Sequence, residues 1–296
     1  MGQLAVLAEL LRRHAPDDGT HQCLLPGVKL IRSSTPTMPM PVIYEPTLCL
    51  VAQGRKQAVL GTTAFFYDPS SYLIASVDLP VMGSVVDATE DQPYLCLQID
   101  LDMTSLADLV IRYPASRPKA GRGPMGLALN RTTPALLDAA VRLASLLDTP
   151  EDIEVLAPMA MREILYRLLT GPSADTMQQM AQAGSRLNQI ACAIVWIRTN
   201  FRNACPVEQA AEVAGMSRST FHAHFRTITS MSPIEFRTQL RVQEAQRLMV
   251  SEAMDAANAG FNVGYGSPSQ FSRDYARVFG APPAKHASQL RNAASA

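Results

Sequence analysis

The stretch VGYGSPSQFSRDYARVFGAPP, residues 263–283, holds a turn, a helix start and a helix stop in close succession. Ser267 is a favoured N-cap, and Pro268 stands at the first helical position, where its missing N–H costs nothing. Phe271, Tyr275 and Val278 recur at helical spacing and form an inner stripe, while Gly280 with Pro282-Pro283 stops the helix. Ser269, Gln270 and Arg273 therefore face outward at its beginning. Upstream, the small residues from Ala256 to Gly260 followed by Phe261 read as a short preceding helix. Residues 255–280 thus read as helix, turn, helix.

The same arrangement occurs about 49 residues earlier. Pro206 to Ala214 reads as a helix, Gly215-Met216-Ser217 as a tight turn, and Arg218 to Phe225 as the start of a second helix. Ala210 and Ala211 let two helices cross closely, Gly215 suits a left-handed turn, and Ser217 is a good N-cap. Phe221 and Phe225, four apart, face inward. Arg218, Ser219, Thr220 and His222 lie away from the core near the helix start, where a helix-turn-helix protein reads bases. The two units, about 207–227 and 255–280, are joined by a helix from Pro233 to about Val250. At 1.5 Å per residue it spans roughly 27 Å, and with packing offsets it suits two reading helices one DNA turn, about 34 Å, apart. A helix with Leu187, Ile190, Ile194, Ile197 and Phe201 at core spacing opens the region; Trp196 reads as packing. His222 and His224 point to different sides of one helix, which disfavours a shared metal.

Charge agrees with this division. The 296 residues carry 26 Lys+Arg and 26 Asp+Glu, a formal net charge of zero. Residues 186–296 hold 12 basic and 7 acidic side chains, a net of +5, leaving −5 on residues 1–185. Opposed halves hint at a nucleic-acid partner for the basic one. No apolar run approaches the roughly 18–20 residues of a membrane span. At the N-terminus Arg12 and Arg13 follow the apolar stretch instead of preceding it, so a short amphipathic helix is expected there, not a signal peptide. The five cysteines, Cys23, Cys49, Cys96, Cys192 and Cys205, include no C-x-x-C pair and indicate neither a disulfide framework nor a zinc site. A cytoplasmic protein without a membrane partner is the resulting expectation.

Residues 22–101 contain short apolar or alternating runs such as Thr47–Ala52, Gln57–Leu60, Ala64–Tyr67, Tyr72–Val77, Val81–Val86 and Tyr94–Ile99. Breakers such as Gln53-Gly54, Gly61, Asp68-Pro69 and Leu79-Pro80 separate them, as in an antiparallel sandwich or small barrel. After about Asp102 the remainder of this half is expected to be helical. Leu136, Ala140, Leu143 and Leu147 share one face, as do Ile153, Leu156, Ala160, Ile164 and Leu168, with a break at Asp148-Thr149-Pro150. Two readings stand for these stripes, packing on the barrel or a dimer interface. The small polar residues 173–185 read as a linker.

The motifs AAEVAGMSRSTFHAHF, SPIEFRTQLRVQEAQRLM and VGYGSPSQFSRDYARVFGAPP resemble the DNA-binding domain of AraC/XylS-type transcriptional regulators, from about Ser185 to Arg291. The resemblance implies base contacts from Arg218, Ser219, His222 and Ala223 in the first unit, and from Ser269, Gln270 and Arg273 in the second. Ala223 cannot hydrogen-bond a base, which thins readout by the first unit. Arg226 and Arg277 suit phosphates. Solvated surface side chains remain the alternative for Arg218 and Arg273. The stretch from Leu48 to Asp102 is similar to the N-terminal effector domain of one AraC-type subgroup, which implies a cupin-like barrel followed by helices. That domain would sense a small molecule and assist homodimerisation.

An α+β chain results: an effector and dimerisation domain at 1–172 (barrel about 22–101, helices about 103–170), a linker at 173–185, and an all-α DNA-binding domain at 186–296. Double-stranded DNA, an unidentified small effector and a second copy are the expected partners. The first 185 residues offer only His14 and His21 before the main strands, so no metal, cofactor or catalytic residue is expected. Four side chains stand as effector contacts. Arg55 and Lys56 suit an anion, though alternation along a strand lets only one point inward. Cys49 is either buried packing or an electrophile-sensing thiol, and Phe66 either lines a pocket or belongs to the core. The rival functional reading is a cupin-like binding protein or enzyme whose helical tail mediates association.

Overall fold

The computed structural model describes residues 2–113, 125–203 and 206–294; Cys205 and part of the expected helical region, 114–124, lie outside them. The chain divides into two compact units, Met1–Asn188 with Thr227–Ser230, and Gln189–Arg226 with Met231–Ala296.

The first unit opens with the expected amphipathic helix α1 (Gln3–His14), which buries Leu7, Leu10 and Leu11. Strands β1 (Gly19–Gln22), β2 (Val28–Ser33), β3 (Met40–Tyr44), β4 (Thr47–Gln53), β5 (Arg55–Leu60), β6 (Thr63–Tyr67), β7 (Ser71–Ala75), β8 (Leu79–Asp87) and β9 (Tyr94–Asp100) follow. With β10 (Leu127–Arg131) they form two antiparallel sheets, ordered β1-β2-β9-β4-β7-β10 and β3-β8-β5-β6. Residues of β4 from Thr47 to Ala52 are all buried, on both faces of the strand, because α1 packs against this sheet. An apolar run without alternation is what double burial requires.

Three expectations need correction. The region after Asp102 is not wholly helical, since Leu127–Arg131 pairs with β7 from Leu127↔Ala75 to Arg131↔Ser71. Five residues carry little periodicity, and the free edge of β7 decides their conformation. Leu79-Pro80 is not a break but the start of β8, where a proline near the strand's beginning is tolerated. Residues 173–185 are not an open linker either. Helix α5 (Ala174–Ala181) buries Met177 and Met180, a pair three apart that polar neighbours masked. Buried Ser173 donates to the Leu168 carbonyl at 3.0 Å and accepts from the Tyr72 hydroxyl at 3.1 Å, fixing this corner to the sheet.

The remaining helices of this unit are α2 (Met103–Arg112), α3 (Pro134–Ser145) and α4 (Ile153–Thr170). Asp102 caps α2 by accepting from Thr104 N and Ser105 N; the Ser105 side chain, together with these two bonds, holds its carboxyl below the ordinary range. Helices α3 and α4 form the expected hairpin, joined through the short 3-10 turns Leu146–Asp148 and Pro150–Asp152. Leu136, Ala140, Leu143 and Leu147 are all buried. On α4 the stripe is buried only toward the C-terminus, at Ile164, Leu165, Leu168 and Leu169; Val155, Leu156 and Met159 stay exposed.

The second unit is helical: α6 (Arg186–Asn200), α7 (Val207–Val213), α8 (Arg218–Thr229), α9 (Pro233–Ser251), α10 (Ala256–Asn262), α11 (Pro268–Phe279) and α12 (Pro283–Ala294). A complete capping box starts α9: Ser232 Oγ accepts from Glu235 N, and Glu235 Oε2 accepts from Ser232 N at 2.7 Å. Gly280 closes α11 in the left-handed conformation.

Candidate functional site

The two helix pairs α7–α8 and α10–α11 repeat one design. Ala210 and Ala211 on α7 correspond to Ala259 and Gly260 on α10, and all four are buried at the crossing with the second helix. A side chain at Gly260 would meet the Phe271 ring at 2.9 Å, so the small residue is a packing requirement. The offset between the pairs is 49 residues through Gly215 and Gly264, then 50 from Phe221 and Phe271 onward. The second turn is one residue longer. Phe221, Phe225 and Phe236 stack edge-on at about 5.3–5.4 Å between centroids, and Tyr265, Phe271 and Tyr275 make the matching cluster.

Arg241 on α9 braces the second turn. Its Nε donates to the Phe201 carbonyl at 2.7 Å, Nη2 to that of Asn203 at 3.2 Å, and its guanidinium lies 5.5 Å from the Tyr265 ring centroid. Turn and linking helix are thereby joined in one rigid corner, which aims α11.

The expected reading residues lie where the sequence places them. Arg218, Ser219, Thr220, Ala223 and Arg226 are exposed along the outer face of α8, with His222 half-buried beside Phe221. Ser269, Gln270, Arg273 and Arg277 are exposed along α11. Ser217 caps α8 as expected, its Oγ accepting from Thr220 N at 3.4 Å; Ser267 holds the N-cap position without a side-chain bond. Arg218 is paired with Glu208 at 3.0 Å in an exposed pair, and Arg277 with the largely covered Asp274 at 2.9 Å. Backbone and side chain of Ser232 hold the Glu235 carboxyl below its ordinary range, and Arg226 and Arg277 add to this. Both arginines therefore lie near the start of α9, one from α8 and one from α11. Under the 50-residue offset Arg273 falls where the first unit has Ala223, and Ser272, also exposed, falls where it has His222. Ser272 escapes a reading of one unit at a time; aligning the two from the turn onward reveals it.

In the first unit the structure separates the four effector candidates. Arg55 and Phe66 are exposed, the guanidinium 5.7 Å from the ring centroid, so they decorate the outside of the β5–β6 hairpin. Lys56 opposes Tyr67 and Val85 in the ladders and points inward, its ammonium 5.9 Å from the ring centroids of both Tyr44 and Tyr94. Cys49 and Cys96 are buried on adjacent strands, which removes the exposure an electrophile-sensing thiol needs. Their mutual hydrogen bond pushes the Cys49 thiol well up and draws that of Cys96 down, with Tyr94 and Lys56 contributing at Cys96. An open groove of about 550 Å³, rimmed by Gly54, Arg55, Asp68, Pro69, Ser70 and Asp87, lies at the β5 end of the sheets. No group of three or more His, Cys, Asp or Glu side chains placed to hold a metal occurs among the described residues.

Residues 24–176 match the family described as "AraC-type transcriptional regulator N-terminus", and residues 210–289 match a helix-turn-helix domain. The chain belongs to the AraC-type transcriptional regulators. This regulator is 33% identical over 92 residues to the RCS-specific HTH-type transcriptional activator RclR of Escherichia coli, a match covering 31% of this chain and 32% of that protein. The chain thus aligns with about a third of the length of the first such relatives. It is 23% identical over 206 residues to the HTH-type transcriptional regulator ExsA of Pseudomonas aeruginosa, covering 69% of this chain and 73% of that one. Its fold is shared with unsaturated-fatty-acid-bound ToxT of Vibrio cholerae, at a TM-score of 0.54 and 11% identity over 88% of this chain and 93% of the other. The two matched regions are thus an AraC-type N-terminal domain and a helix-turn-helix domain. None of its described helices is long and apolar enough to cross a membrane.

Proposed function

We propose that this regulator reads duplex DNA with both α8 and α11 in successive major grooves, under control of a small molecule held in the first unit and as a homodimer. The carrying observation is the doubled helix-turn-helix of the second unit, with two exposed polar helix starts on either side of α9. At 19 residues α9 is about 28 Å long, which suits reading helices about 34 Å apart. Arg218, Ser219, Thr220 and His222 read the first element; Ser269, Gln270, Ser272 and Arg273 the second; Arg226 and Arg277 hold phosphates. Selection of duplexes from a random pool by the full chain tests this. Two short sequence elements about ten base pairs apart are expected; recovery of no consensus, or of a single element, overturns the two-helix reading.

Support for effector control comes from the family and from the likeness to a regulator captured with a fatty acid. Homodimerisation draws on α4, whose exposed Val155, Leu156 and Met159 form an apolar patch turned away from the helix's buried side. Sedimentation of the full chain should show a dimer that Leu156→Glu with Met159→Glu converts to a monomer. A wild-type chain that stays monomeric at high concentration removes the dimer from this reading.

A further inference from the structure

The interior of the first unit contains a buried cation for which the fold supplies no acid. Lys56 retains some exposure as a residue, yet its ammonium is enclosed between Tyr44 and Tyr94. Burial opposes that charge, and the Tyr44 hydroxyl, accepting a hydrogen bond from the ammonium, helps to hold it above its ordinary value. Among the described residues, no carboxylate is among the leading groups that act on it. Asp100, which is felt at Cys49, is committed to Lys29 at 3.6 Å.

Hydrogen-bonding capacity is unbalanced in the same direction. The Tyr44 and Tyr67 hydroxyls bond each other at 3.0 Å. The Tyr94 hydroxyl, on a residue with no exposed surface, lacks a hydrogen-bond partner and has only the weakly polar Cys96 thiol beside it. Burial raises all three phenols, so they remain neutral donors. The cluster offers an ammonium and an idle hydroxyl, and what it lacks is negative charge with acceptor lone pairs. Gly83, two residues before Val85 on β8, adds no side chain; a Cβ there would stand 3.6 Å from Lys56 Cε and 3.9 Å from the Tyr44 hydroxyl. At the same end of the sheets, Gly54 in the groove wall presses directly on Tyr94, its would-be Cβ 3.0 Å from Tyr94 Cα.

We propose that the effector is a small carboxylate, its oxygens on the Lys56 ammonium and the Tyr94 hydroxyl inside the barrel. This rests on the reading of the first unit as an effector domain. A carboxylate gives the Tyr94 hydroxyl an acceptor and gives the Lys56 ammonium, which already meets the Tyr44 hydroxyl, a negative charge, with tyrosine rings and Val85 around them. Arg55, exposed on the groove rim between Asp68 and Asp87, takes no part.

The full chain can be titrated with formate, acetate, butyrate and benzoate at matched ionic strength, following its melting temperature, with the corresponding amides and sodium chloride as controls. At least one acid should raise the melting temperature by several degrees while its amide does not. Lys56→Met should weaken that acid at least tenfold, and Tyr94→Phe several-fold, whereas Arg55→Ala should leave it within about twofold. Without ligand, Lys56→Met should melt higher than wild type, because it removes a buried charge that only a ligand would compensate. A Lys56→Met chain that melts lower marks the lysine as structural and overturns the proposal, as does a carboxylate response that survives this substitution. No response to any of the four acids also overturns it. If amides stabilise the chain as well as acids do, the effector domain stands and the anionic class falls. If a broad metabolite panel alters neither melting nor DNA binding, the effector reading itself falls.

Discussion

Replacing Gly264 with alanine is expected to lower the melting temperature of the helical unit by more than about 8 °C. Gly264 holds a φ of +90°, a left-handed conformation that costs a side chain about 1–2 kcal/mol. The contact is worse than the conformation: a Cβ would stand 1.9 Å from the Arg202 carbonyl oxygen and 2.8 Å from Arg241 Nη2. No side-chain rotation relieves a collision with backbone, so the turn must move, adding roughly 1–3 kcal/mol or more of overpacking strain. A total of at least about 2 kcal/mol, at 4–8 °C per kcal/mol for a unit of this size, gives the stated shift. Arg241 braces this same turn, so α11 would lose its aim even where the unit still folds. Gly266, two residues on, supplies the control. It has no positive φ and nothing within 4 Å of its would-be Cβ, so Gly266→Ala should melt within about 2 °C of wild type. Calorimetry of the three chains decides the matter; equal melting of Gly264→Ala and Gly266→Ala would contradict the packing described for this turn.

The second large effect concerns sequence preference instead of stability. Arg273→Ala together with Gln270→Ala should lower the ratio of specific to non-specific DNA affinity by about 10²–10³-fold, since each good base contact is worth about 1–3 kcal/mol of discrimination. Both side chains are exposed and clear of the Phe271–Tyr275 core, so the melting temperature should hardly change. Arg277→Ala should behave differently. A phosphate contact carries no sequence information, so affinity should fall evenly across sequences, with the salt slope smaller by about one. The measurement is competition binding at several salt concentrations on an operator obtained by selection. An unchanged preference in the double variant would show that α11 is not a reading helix. In the first unit the position equivalent to Arg273 is Ala223, so single substitutions on α8 should have smaller effects on preference.

Much of this was legible in the sequence, for identifiable reasons. The helix-turn-helix units were readable because each consists of local signals: small residues at a crossing, a glycine turn, an N-cap, and aromatics four apart. Two copies in tandem made the pattern specific. The outward faces of α8 and α11 followed from helical periodicity alone, and the structure finds the same side chains exposed. Where such local signals were weak, reading failed. Leu127–Arg131 is a strand only because β7 has a free edge, and 173–185 is partly helical only because Met177 and Met180 find a core to enter.

The effector region marks the limit most clearly. Alternation along β5 states that only one of Arg55 and Lys56 can point inward, but it cannot say which. Sheet pairing decides, by opposing Lys56 to Tyr67 and Val85 and leaving Arg55 outside with Phe66. Nor can one strand show that Tyr44, Tyr94, Cys49 and Cys96 gather around a single ammonium, since they come from β3, β4 and β9. By itself the sequence determined the family, the DNA-reading unit and the faces of its two reading helices, because these rest on contacts between residues close along the chain. Only the tertiary structure decided which cation the barrel encloses and that no acid accompanies it, because burial and charge pairing depend on strands distant in sequence.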